Sequence, residues 1–125
     1  SMLRGRKRSY EMTTATEYLD AFNNSFVNKD KSFIDAIMAD NCMIHFTGLD
    51  ETMTRQECLE WSETDFCAGC AEYTIIQDAN DCIAGTHSAW GTSEDGDWRS
   101  KCFFFAKKAG GKITEWYVHA RPMVD

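Results

Sequence analysis

Residues 98–120 read WRSKCFFFAKKAGGKITEWYVHA, and the pairing of this stretch decides the fold. Residues 98–107 and 112–120, each rich in aromatic or β-branched residues, flank the turn signal Gly110-Gly111. That pattern predicts two strands joined by a hairpin turn. Working backward, 71–78 and 81–91 also read as strands, with Asn80-Asp81 and Asp95-Gly96 as turn signals. Short connections make sequential strands antiparallel neighbours, so the C-terminal half is a four-strand meander.

The N-terminal half carries a helical period instead. Thr14 with Glu17 forms a capping box, after which Ala15, Tyr18, Leu19, Phe22 and Phe26 predict a helix to about Asn28. Asp30 caps a second, short helix with Phe33, Ile34, Ile37 and Met38 on one stripe, ending near Asp40-Asn41. Residues 42–47 alternate as a strand, Gly48-Leu49-Asp50 breaks it, and Thr54 with Glu57 opens a third helix carrying Cys58, Trp61 and Phe66. Helices at one end of the chain and strands at the other predict an α+β fold: a curved antiparallel sheet with about three helices covering one face.

Composition narrows the class. The 125 residues are 43% hydrophobic and 26% charged, which suits one folded domain over 12–125 preceded by a flexible basic tail or cloning remnant over 1–11. That tail holds Arg4, Arg6, Lys7 and Arg8, and a targeting remnant is the other reading of it. A net charge of -7 favours solubility and argues against a nucleic-acid partner, which would require a basic face. No apolar run approaches the roughly 18 residues a membrane span needs, so no membrane partner is expected. The six cysteines read as free thiols of an intracellular, cytoplasmic protein. Cys42, Cys58, Cys82 and Cys102 fall in apolar-periodic segments, where cysteine behaves as a small hydrophobe.

Several short words in this order carry a resemblance. They are Tyr18-Leu19-Asp20-Ala21-Phe22, Asn28-Lys29-Asp30, the run 37–41, Ile44-His45-Phe46-Thr47-Gly48, Thr54-Arg55-Gln56-Glu57 and Gly111-Lys112-Ile113-Thr114-Glu115-Trp116. Over about residues 12–122 the chain resembles the nuclear transport factor 2-like superfamily, which includes steroid delta-isomerase, scytalone dehydratase, polyketide cyclases and the association domain of calmodulin-dependent kinase. The resemblance implies a cone with a pocket between sheet and helices, and a homodimer formed through the outer face of the sheet.

It also implies site residues. His45 stands where isomerase-like members carry a proton-shuttling aspartate, and a histidine titrating near neutrality is a competent general base. It can serve only if Met43, His45 and Thr47, rather than Cys42, Ile44 and Phe46, face the hollow. The isomerase's tyrosine donor falls at Phe22, with Tyr18 one turn earlier, and its later acidic donor falls near Lys101. Loss of both donors argues against steroid isomerisation. His87 is a further acid/base candidate. His119 is expected to point outward if Trp116, Val118 and Ala120 face inward. Phe22, Met43, Trp61, Trp90, Trp116 and Val118 are the expected ligand-pocket residues.

Other motifs are weaker. Cys67-Ala68-Gly69-Cys70 supplies only two of the roughly four ligands a zinc site requires, and it follows a helix end, where the dipole disfavours a thiolate. A plain loop is the preferred reading, with no metal and no cofactor. Glu94-Asp95-Gly96-Asp97 reads as a hairpin tip lacking the ligand spacing of a calcium loop. The leading expectation is a domain binding a small, largely apolar molecule, with cofactor-independent isomerase, dehydratase or cyclase chemistry as its catalytic form. The alternative is a noncatalytic oligomerisation or protein-interaction module. A hollow of ~300 Å³ or more favours the first, and a cone filled by Phe22, Trp61 and Trp116 favours the second.

Overall fold

Thr14 starts the first helix for a local reason. Its hydroxyl accepts the Glu17 amide at 3.2 Å while the Glu17 carboxylate accepts the Thr14 amide at 2.8 Å, so two otherwise orphaned donors are satisfied reciprocally. In the computed structural model, which describes residues 13–123, this helix is α1 (Ala15–Asn28). Its buried face is Ala15, Tyr18, Leu19, Phe22, Ser25 and Phe26. The basic cluster and the expected tail over 1–11 lie outside the described residues.

The second helix, α2 (Ser32–Asp35), is shorter than its apolar stripe predicts. Met38 leaves the helix and begins β1 (Met38–Phe46), because the backbone there is captured by a distant partner: the Ile113 amide donates to the Ile37 carbonyl at 2.8 Å. Gly48-Leu49-Asp50 proves to be a turn within the sheet and not its end. The chain returns as a short strand, β2 (Glu51–Thr54), that the sequence does not announce. Thr54 and Glu57 then cap α3 (Arg55–Trp61), and Phe66 lies in the loop beyond it.

The meander follows as β3 (Gly69–Asp78), β4 (Cys82–Ser93), β5 (Gly96–Ala109) and β6 (Lys112–Pro122). The sheet order is β2-β1-β6-β5-β4-β3. One correction concerns the expected antiparallel sheet: β1 runs parallel to β6, so the sheet is mixed. A parallel pair requires a long crossover, and here residues 47–111, about half of the chain, supply it. Register shifts in the β1–β6, β3–β4 and β5–β6 pairs mark the bulges that curve the sheet.

The helices pack into the concave side. Phe22 meets Trp116 with ring centroids 4.9 Å apart, and Trp116 stacks on Phe104 at 4.8 Å. Tyr18, Leu19, Ile34, Ile83, Phe104 and Ile113 are fully buried. Each such side chain contributes about 1.5–3 kcal/mol, so packing rather than intrinsic propensity holds α1 in place. At Gly91 a side chain would collide with the carbonyl of Phe66. Its absence lets the loop after α3 lie directly on β4, where the Phe66 carbonyl accepts the Thr92 amide at 3.2 Å and the Trp98 indole N–H at 2.8 Å. Among the described residues no helix is long and apolar enough to cross a membrane.

Candidate functional site

Curvature and helix packing leave a hollow of about 790 Å³ between the helices and the concave face. Its inner wall is Leu19, Phe22, Cys70, His87, Cys102 and Trp116, while Glu51, Phe66, Asp95, Trp98 and Arg99 also line it. Aromatic rings run through the lining in near-continuous contact. Phe22 meets Phe26 at 6.1 Å, Phe26 meets Trp61 at 5.3 Å, Trp61 meets Phe66 at 6.1 Å, and Phe66 meets Trp98 at 5.3 Å. These rings line the space rather than fill it.

His87 is the one histidine among the residues that line this hollow. It lies on β4 opposite Cys102 of β5 and is 8% exposed. Its Nδ1 lies 3.0 Å from the Ser88 carbonyl. A carbonyl oxygen only accepts, so Nδ1 carries the proton and neutral His87 keeps its lone pair on Nε2. Burial pushes its pKa below the ordinary histidine value, the Ser88 hydrogen bond opposes that shift, and the Lys101 charge adds to it. The ring is therefore a neutral base in apolar surroundings. Ser100, one inward-facing position from Cys102 along β5, adds a hydroxyl to the same lining.

Four thiols share the cavity wall: Cys58, Cys67, Cys70 and Cys102. Burial pushes Cys58, Cys67 and Cys70 up to about 12 and Cys102 up to about 11. Cys67 donates to the Gly69 carbonyl at 3.8 Å and Cys70 to the Leu19 carbonyl at 3.7 Å. These are protonated, apolar wall residues and poor nucleophiles.

The sequence-derived site residues divide between the two faces of the sheet. Phe22, Trp61, Trp116, Val118 and His87 line the hollow. His45 and Met43 do not, because alternation along β1 turns Ile44 and Phe46 inward and sends His45 to the convex side. There His45 stacks on Tyr117 at 4.5 Å and lies 2.9 Å from Glu115 and 3.2 Å from the Thr52 hydroxyl. Trp90 also falls outside the hollow. It is 37% exposed and packs over Gly69, where a side chain would stand 2.7 Å from the indole.

Tyr18 lies beneath the hollow without opening onto it. Its hydroxyl donates to the Gly111 carbonyl at 2.7 Å, and the Lys108 ammonium sits 5.0 Å from its ring centre. It closes the end of the cone beside the β5–β6 turn. His119 points outward as expected, 3.1 Å from the Thr47 hydroxyl. Trp98, one of four tryptophans the sequence offers as pocket residues, lines the hollow, whereas sequence reasoning missed Asp95. The turn signal Asp95-Gly96 locates that hairpin tip along the chain, but nothing local says the tip bends over the opening.

A bent mixed sheet in the order β2-β1-β6-β5-β4-β3, with three helices before β3 and a hollow on its concave side, has solved counterparts. The chain has the nuclear transport factor 2-like fold. A protein of ketosteroid isomerase-like fold from Catenulispora acidiphila, solved with trimethylamine, is 16% identical over 85% of this chain and 85% of its own, with a TM-score of 0.68. A candidate isomerase from Bacillus subtilis is 13% identical over 86% of each chain, with a TM-score of 0.66. IdmH, a candidate polyketide cyclase from Streptomyces antibioticus, is 14% identical over 84% of this chain and 90% of its own, with a TM-score of 0.65. At such identities the likeness extends to the nuclear transport factor 2-like fold alone. No protein-family model and no curated protein matches the sequence.

Proposed function

We propose that the hollow binds a small, largely apolar molecule and that His87, rather than His45, is the base that meets it. The observation carrying this reading is the His87 ring itself: Nδ1 is committed to the Ser88 carbonyl, which leaves an unprotonated Nε2 on a residue that lines a cavity of about 790 Å³. An apolar site that excludes water strengthens any hydrogen bond formed to that nitrogen. A ligand hydroxyl would donate to Nε2, and a carbon acid activated by a neighbouring carbonyl would lose its proton to it. Cofactor-independent isomerase, dehydratase or cyclase chemistry follows from such a base, and candidate isomerases and cyclases with this fold support that reading. The trimethylamine held by one structural neighbour supports a small-molecule ligand.

The convex face supports a second, compatible proposal: a homodimer. Phe103 is 51% exposed there beside Phe105, Tyr117 and His45, and an apolar row of this kind on a sheet surface suits burial against a second copy. The experiment for the ligand reading is a thermal-shift screen of small phenols, enones and enols on wild type and His87→Ala. Hydroxyl-bearing hits should stabilise wild type and lose most of that effect in the variant. Equal shifts in both proteins would remove His87 from the site.

A further inference from the structure

We propose that Ser100 is the second polar contact of the hollow, and that with His87 it selects ligands carrying a hydroxyl and, on another carbon, a carbonyl oxygen. This rests on the reading of the hollow as a ligand site with His87 Nε2 as its acceptor, and it adds a second residue and a class of ligand. Register brings the two side chains together. His87 of β4 pairs with Cys102 of β5, and Ser100, two residues earlier on β5, pairs with Ala89. All four residues line the hollow. Diagonal partners across an antiparallel pair stand about 7–8 Å apart at the backbone. Ala89 and Cys102 occupy the other two corners, so no side chain larger than a thiol stands between the imidazole and the hydroxyl.

Both groups are open to the space they face. His87 Nδ1 is committed to the Ser88 carbonyl, and the Ser93 hydroxyl of the same lining donates to the Gly96 carbonyl at 3.2 Å. His87 Nε2 and the Ser100 hydroxyl, by contrast, make no hydrogen bond among the described residues. Among those residues, the side-chain polar atom that is both sealed from solvent and unbonded is Arg55 Nε. Neither Nε2 nor the Ser100 hydroxyl is therefore walled in by its neighbours.

The two groups require different partners. Nε2 of the neutral ring only accepts, so the ligand group that meets it donates. The Ser100 hydroxyl must place its own hydrogen, and the thiol and methyl groups beside it are poor acceptors. The carboxylates of the lining are distant: Asp95 lies five residues away at the hairpin tip, and Glu51 lies three strands away on β2. A ligand oxygen that accepts is the remaining partner. A second ligand hydroxyl would accept from Ser100 and leave its own hydrogen unpaired, whereas a carbonyl leaves no donor over. A carboxyl group is too compact to serve both residues, because its two oxygens share one carbon.

A thermodynamic cycle isolates the Ser100 contact. The compounds 3-hydroxyacetophenone and 3-isopropylphenol share outline and hydroxyl, and a methyl group in the second replaces the carbonyl oxygen of the first. Calorimetric titration gives their relative affinity in wild type, Ser100→Ala and Ser100→Thr. The ratio should move against the ketone by about five- to tenfold in Ser100→Ala and stay near its wild-type value in Ser100→Thr, which keeps the hydroxyl. The carbonyl stretch of the bound ketone should lie at lower frequency in wild type than in Ser100→Ala. His87→Ala should weaken both phenols alike and leave their ratio in place. A ratio and a stretch that do not change in Ser100→Ala overturn the proposal, while loss of both phenols in His87→Ala keeps the hollow reading. Phenols bound equally by wild type and His87→Ala overturn the His87 assignment and the proposal with it. Failure of wild type to bind either compound overturns both.

Discussion

The imidazole of His45 and the carboxylate of Glu115 lie 2.9 Å apart on the convex face, with the Tyr117 hydroxyl donating to the same carboxylate oxygen at 2.9 Å. A ring engaged with Glu115 there, with the sheet between it and the hollow, has no route to a ligand inside the cone. His45→Ala should therefore leave the thermal shift of every cavity ligand unchanged. A ligand that stabilises wild type but not His45→Ala would return chemistry to the convex face.

The same pair has an acid signature. Hydrogen bonds from His45 and then from Tyr117 hold the Glu115 carboxyl below the ordinary value of 4.5. A carboxyl lowered by folding contributes stability above its unfolded value and loses it as pH falls through the folded one. Glu115→Gln should flatten the acid limb of the curve of Tm against pH below about 4.5, and an unchanged limb would refute that assignment.

His87 predicts a separate window. The unfolded chain takes up a proton near pH 6.5, whereas the buried ring resists it until lower pH. Between those two values the unfolded state binds more protons, so stability rises with pH across the interval and is complete above it. His87→Gln should remove that slope. Binding of a hydroxyl donor to Nε2 should weaken over the same interval as the ring charges, which calorimetry at several pH values would measure.

Gly91 lets the Phe66 carbonyl lie directly on β4. Replacing Gly91 with alanine forces the Phe66 carbonyl off β4 and should cost about 1–3 kcal/mol in a urea titration. The emission of Trp98 should change with it, since its indole donates to that carbonyl. Wild-type stability with unchanged emission would show that the loop does not depend on this contact.

Phe103 tests the dimer. Phe103→Asp puts a charge into the convex aromatic row without touching the hollow, so sedimentation should change from dimer to monomer while ligand shifts persist. A wild type that sediments as a monomer across the micromolar range would end the dimer proposal.

Local signals were well written in the chain. The Thr14–Glu17 and Thr54–Glu57 capping boxes start helices where expected, because each is completed within four residues. Parity along β6 correctly turned Trp116 and Val118 inward and His119 outward, since alternation needs only one anchored residue. Phe22 and Trp61 lie on the apolar faces of their helices, as the helical period predicts, and so line the hollow. On β1 alternation offered two faces and no anchor. The resemblance to a proton-shuttling position chose the face with His45, and the register with β6 chose the other.

The residues themselves determined the α+β class, the helix starts and the hairpin meander, all of which arise from contacts between near neighbours in the chain. Tertiary structure alone decided the rest. The parallel pairing of β1 with β6 joins segments separated by about seventy residues, as in Ile44 with Trp116. Such a contact has no local period to betray it, yet it fixes which face of β1 is concave. With that face fixed, His45 stands outside and His87 within.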